Sequence, residues 1–154
     1  MDTPTNIDES LRLRLGTLII EWSFVDAICG EFLAYMLKAD PGAVYVVTQN
    51  VSSGTIGAWL RTLAPVRFLN ENTRERLADL FGRIDDIRSD RNALVHGIWK
   101  AGDETGTAIV QTIGWHRSSV VKEELVTIAD LNDLIDGVRN VVEELEILAK
   151  KLGF

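Results

Sequence analysis

Apolar side chains recur at helical spacing over most of this chain and switch to alternation in one short stretch. The clearest run is the last. Leu131, Leu134, Ile135, Val138, Val141, Val142, Leu145, Leu148, Ala149 and Leu152 form a continuous stripe, while Asp133, Asp136, Asn140, Glu143, Glu144 and Lys150 occupy the other face. That pattern predicts an amphipathic helix opened by Asp130, its stripe turned to a core. A first helix is predicted over about Ile7 to Lys38, with Asn6 and Glu9 as a cap and Asp40-Pro41-Gly42 as a stop. Leu11, Leu15, Leu18, Trp22, Val25, Cys29, Leu33 and Met36 lie along one side of it, but Leu13, Ile20, Phe24, Ile28 and Tyr35 populate the other. A helix apolar on both sides is buried on both sides. This one is therefore expected either at the centre of the fold or in a dimer interface.

Between these two helices the pattern is more mixed. Residues 43–51 have strand-like composition, read as a strand or an extended connection. A brief helix is predicted from about Ser53 to Leu63, closed by Pro65, and a third long helix from near Asn72 to His96 with Gly97 as its cap. Ile98–Lys100, Thr107–Trp115 and Val120–Thr127 then read as short strands, and Gly102–Gly106 has hairpin-turn composition. No repeat or linker interrupts the chain, so residues 1–154 are expected to form a single domain. Its class is mainly α: a helical bundle with a small antiparallel β section inserted before the last helix.

Composition narrows the partners. Of 154 residues, 46% are hydrophobic and 25% charged, ordinary for a globular domain. No apolar run approaches the roughly 18 residues of a membrane span, and the first ten residues lack the pattern of a signal peptide. The expectation is a cytoplasmic protein with no membrane partner. The lone Cys29 rules out an internal disulfide, and no metal or cofactor is expected, since zinc spacings, Gly-rich phosphate loops and nucleophile elbows are missing. The net charge of −7 counts against general nucleic-acid affinity but leaves room for a small basic pocket.

The most informative stretch is Arg88-Ser-Asp-Arg91-Asn92-Ala-Leu-Val-His96-Gly97. With Ile84 at the middle of the apolar stripe, Leu77, Leu80, Phe81, Ile87 and Val95 fall within roughly 60° of it. Arg91 falls near the centre of the same face, and Arg88 beside it. An unpaired buried guanidinium is costly, so an internal carboxylate, a second subunit or an anionic ligand must receive these two. Asp26 is the best internal candidate, one turn beyond Trp22, with Glu21 as an alternative. Asn92 and His96 share one side of the helix, four residues apart.

Arg91-Asn92-Ala-Leu-Val-His96 resembles the Arg–polar–three residues–His pattern of the HEPN superfamily. The resemblance implies a HEPN-like bundle that pairs as a homodimer, with metal-independent RNA cleavage in many members and non-catalytic binding in others. The β section is an elaboration on a minimal bundle. The chemistry suits the residue types. Attack of an RNA 2′-hydroxyl on the neighbouring phosphate needs a proton acceptor, a proton donor and stabilisation of a crowded phosphorane. His96 supplies a group that titrates near neutrality, and Arg91 a fork that fits phosphate oxygens. Asn92 orients the ring or the substrate, and Arg88 assists binding. One histidine does not easily fill both proton-transfer roles, so a dimer that joins two such helices has a chemical motive.

Two functions are thus expected to compete. One is a HEPN-like endoribonuclease of toxin or defence type, acting on RNA and held by a cognate antitoxin. The other is a non-enzymatic dimerisation module that binds a protein partner or a nucleotide. In the second, Arg91 pairs with Asp26 or Glu21 and only fixes helix packing, and His96 caps its helix. His116, beside Trp115, is read as incidental to either. Trp22 and Trp59 are read as core, and Asp85-Asp86 and Glu143-Glu144 as solvated faces.

Overall fold

The computed structural model describes residues 7–113 and 121–154. Five helices and three strands follow in the order α1 (Glu9–Leu37), α2 (Pro41–Thr48), α3 (Ser53–Arg67), α4 (Glu71–His96), β1 (Ile98–Ala101), β2 (Thr107–Ile113), β3 (Val121–Thr127) and α5 (Ile128–Leu152). The mainly α class with a small antiparallel sheet before the last helix is as expected. Among the described residues no helix is long and apolar enough to cross a membrane.

α5 follows its sequence pattern closely. Leu131, Ile135, Val138, Val141, Leu145, Leu148 and Ala149 are buried. Thr127 and Asp130 bond reciprocally to each other's backbone, satisfying two free donors at the helix start. Gly153 closes the other end in the left-handed region that glycine adopts without strain. α1 packs against α5, α3 and α2. Its start is capped by Asp8 through the Ser10 N–H at 2.8 Å, while Asn6, the expected cap, lies outside the described residues. The second carboxylate oxygen of Asp8 accepts from the Gly106 N–H at 3.1 Å, tying the helix to the β1–β2 turn.

The main core lies between α1, α3, α4 and α5, around Trp22, Phe32, Leu60, Phe81 and Leu145. A smaller one joins Ile7 and Leu11 to Ala108, Val110, Val126 and Leu131 under the sheet. The strand order is β1-β2-β3, with Ala101 opposite Ala108, Ala108 opposite Val126 and Val110 opposite Glu124. Alternation puts Ala108, Val110 and Val126 on one face. All three are buried there.

Three expectations need correction. Residues 43–51 form no strand: α2 covers most of them. Asp40 and Pro41, read as the stop of α1, also start α2, because the Asp40 carboxylate accepts from the Ala43 N–H at 2.9 Å and Pro41 fills the first helical position. α3 runs past Pro65 to Arg67. The opposite side of α1 is not uniformly covered either. Ile28 is buried, but Leu13, Ile20 and Phe24 are 65%, 64% and 53% exposed.

Candidate functional site

Gly97 decides how α4 meets the sheet. Its φ is −73°, an ordinary value, so it is not the left-handed cap that its position suggests. Glycine is needed there for space: an added Cβ would lie 2.6 Å from the Ala93 carbonyl oxygen and would strike the Val110 side chain. This close approach lets β1 leave the last turn of α4 at once. The Trp99 indole N–H then bonds back to the Leu94 carbonyl at 2.7 Å. That bond satisfies one of the free acceptors at the helix end. Trp99 is thereby committed to structure, and it packs on the smaller core.

The turn opens a cleft of about 1020 Å³ between the end of α4, the sheet and the start of α5. Asn92 and His96 both line it, with Ser89, Asp90, Gln111, Lys122, Glu124 and Asp130. Leu94, Val110 and Leu134 contribute apolar lining. His96 is exposed and Asn92 half-buried. The spacing of four residues that put them on one side in the sequence puts them in one cleft here. The charge is less favourable to RNA. Asp90, Glu124 and Asp130 line the cleft with a single lysine, Lys122, which is itself bonded to Glu124 at 3.2 Å.

Arg91 and Arg88 do not line this cleft. The Arg91 guanidinium lies over the Trp22 ring, 5.7 Å from its centroid. Trp22 is 2% exposed, so the apolar-face placement of Arg91 is resolved by a buried aromatic rather than by a carboxylate. Arg91 Nη1 donates to Asn92 Oδ1 at 2.8 Å. A guanidinium has donors only. Arg91 therefore holds the oxygen of the Asn92 amide and leaves its NH₂ group free to donate. The link from α1 to the cleft runs Trp22, Arg91, Asn92.

Arg88 extends over the first turn of α3, where an added Cβ on Gly54 would come within 2.9 Å of its Nη1. It donates to Asp85 at 3.4 Å, and Asp85 also accepts from Arg61. The carboxylate that receives an arginine is thus Asp85, which looked like part of a solvated face. Asp26 instead accepts from the Ser53 hydroxyl at 2.7 Å. Glu21 takes Nε and Nη2 of Arg139 at 2.9 and 2.7 Å. Glu144 also proves paired, to Arg83 at 2.7 Å. Two guanidinium atoms, Arg88 Nε and Arg91 Nε, are buried without a partner among the described residues, as is Trp22 Nε1. The sequence did hold a signal for Asp85: it stands three residues before Arg88, an i, i+3 pair, whereas Asp86 falls on the far side of the helix. What the sequence does not show is the approach of α3, which brings Arg61 to the same carboxylate.

Other candidates fall away or lie elsewhere. Cys29 is buried, and that burial, with Asp26 and Asp85 adding to it, pushes its thiol up to about 12, far from a reactive thiolate. Trp59, expected in the core, is 41% exposed. His116 and Trp115 lie outside the described residues. Among the described residues no group of three or more His, Cys, Asp or Glu could hold a metal ion. The outer stripe of α1 also bears on assembly. Leu13, Ile20 and Phe24 stand about 160–180° round the helix from Trp22, which meets Arg91. A pairing through that stripe would leave α1 between the symmetry axis and both motifs.

No family model matches this chain, and no curated protein or solved structure does either.

Proposed function

We propose that the end of α4 is a phosphodiester-cleaving site for single-stranded RNA, of HEPN-like type, completed by a second copy of the chain. One observation carries the reading: Asn92 and His96 line one open cleft, and Arg91 occupies the Asn92 amide oxygen, which leaves the NH₂ group to act as a donor. In the reaction the 2′-hydroxyl oxygen bonds to phosphorus and the P–O5′ bond breaks. A base removes the 2′ proton, and an acid protonates the leaving O5′. His96 of one copy takes the first role and His96 of the other the second. The Asn92 NH₂ stabilises the phosphorane oxygens, and the Arg91 charge behind it adds to the field without touching substrate. These groups suffice chemically without a metal. The site is suited to a toxin or defence role, with an antitoxin as its natural inhibitor.

The cleft's acidic rim favours a second reading, a binding module for a basic protein segment. The product chemistry separates the two. A single-stranded RNA oligonucleotide incubated with the protein in EDTA should yield fragments ending in a 2′,3′-cyclic phosphate and a 5′-hydroxyl. The same oligonucleotide made of 2′-deoxynucleotides should survive. Intact RNA at high protein concentration would remove the cleavage reading and leave the module.

A further inference from the structure

In the cleavage reading Asn92 and His96 hold the phosphate, and they are a small part of the cleft's lining. A volume of about 1020 Å³ is far more than a phosphate needs and stands at the upper end of the range for small-molecule sites. The rest of the lining faces another group. Leu94, Val110 and Leu134 offer apolar surface, and Asp90, Glu124 and Asp130 offer carboxylates. Apolar walls suit a flat ring. Ionised carboxylates accept hydrogen bonds and donate none, and they repel a second phosphate. The group that fits is neutral, planar and rich in N–H donors.

We infer that the cleft takes a guanine next to the scissile phosphate and that Asp90 reads it. Guanine alone among the RNA bases sets two donors side by side on its pairing edge, N1–H and N2–H₂. They match the two oxygens of one carboxylate as an arginine fork does. Adenine and cytosine each offer one amino group beside a ring nitrogen that is itself an acceptor. Uracil flanks its single N–H with two carbonyl oxygens, which a carboxylate repels.

Of the three carboxylates, two are engaged. Glu124 accepts from Lys122 at 3.2 Å. One oxygen of Asp130 accepts both the Thr127 N–H and the Thr127 hydroxyl, at 2.8 and 2.7 Å, in the cap of α5. Asp90 is exposed on α4, and its carboxylate has no ion pair or hydrogen bond among the described residues. Both its oxygens are open to a ligand. Asp90 stands six residues before His96, about 9 Å along the helix axis. That is the scale of one nucleotide from base edge to phosphate. The inference rests on the cleavage reading for the place of the phosphate, whereas base selection is read by binding alone.

The probes are the 5′-monophosphates of guanosine, inosine, adenosine and uridine, which contain no phosphodiester to cleave. They are titrated into the full chain and followed by backbone amide shifts. The guanosine probe should bind at least about 10-fold tighter than the uridine one, with shifts at Asp90 and Val110. Inosine lacks the N2 amino group and should lose roughly 10-fold, the scale of one hydrogen bond to a charged group. Asp90→Asn turns one acceptor into a donor. It should abolish the guanosine preference and strengthen adenosine binding, because an amide matches the amino group and ring nitrogen of adenine. Glu124→Gln should leave the order of bases unchanged. The helical circular dichroism of both variants should match wild type. Equal or absent binding of the guanosine and uridine probes overturns the inference, and so does a guanosine preference that survives Asp90→Asn. RNA left intact by a protein that still selects guanine removes the cleavage reading alone. RNA cut by a protein that selects no base removes this inference alone.

Discussion

From Leu77 to Ile84, α4 buries four apolar side chains; from Asp85 to His96 it buries none. The first segment is held by the core it shares with Phe32 and Trp22. In the second, Ile87 and Leu94 pack on the cores without full burial, and polar contacts and one aromatic face do the rest: Asp85 between Arg61 and Arg88, Arg91 between Trp22 and Asn92. One helix therefore divides its work. Its first turns contribute stability through burial, which is worth roughly 25 cal/mol per Å². Its last turns contribute less of that and present Asn92 and His96 to an open cleft.

The comparison breaks if the two segments respond alike to truncation. Phe81→Ala should cost about 3–5 kcal/mol of stability, because the ring is 1% exposed and packs edge-on to Phe32. Chemical denaturation measures it. Gly97→Ala should cost about 1–3 kcal/mol, since the added methyl meets the Ala93 carbonyl and Val110. It should also move the sheet off α4, which amide chemical shifts at Asn92 and Val110 would register.

Arg91→Ala sharpens the contrast. Pairing with a buried Asp26 would have made this change cost about 3–5 kcal/mol. Asp26 is exposed and bonds Ser53, so no carboxylate is stranded. The variant also removes a buried Nε that has no partner among the described residues. Thermal melting should show a loss of about 1 kcal/mol or less. The smallest effect belongs to Asp8. The Ser10 backbone N–H holds its carboxyl below the usual range, and Gly106 and Arg12 add to this. Because the folded value is the lower one, its contribution is full above the unfolded value near 3.8 and fades as pH falls through the folded one. Asp8→Asn should flatten that acid limb of a stability–pH curve: its loss, small because an amide oxygen can still cap the helix, should appear at neutral pH and vanish in acid.

The sequence made some of this plain and hid the rest for physical reasons. α5 was legible because its stripe and its cap agree. α2 was hidden because Val44, Val46 and Val47 favour strands, while the cap that overrides them, Asp40 with Pro41, doubles as the end of α1. The i, i+4 spacing placed Asn92 and His96 together. It could not say that Arg91, one residue earlier, would turn away from them to Trp22, because that depends on where α1 crosses. The inward tilt of Arg91 was read from the helical period, but its receiver was not. An internal carboxylate, a second subunit and an anionic ligand were the expected receivers; Arg88 meets a carboxylate, Asp85, but Arg91 lies over an indole.

The account stands on His96 acting in chemistry while carrying little of the fold. The direct measurement is the turnover of a single-stranded RNA by His96→Ala beside wild type, with melting curves for both. His96 is exposed, so the melting temperature should stay the same. The cleavage rate should fall at least ~100-fold, the scale of a lost general acid or base. Equal turnover in the two proteins would contradict the account.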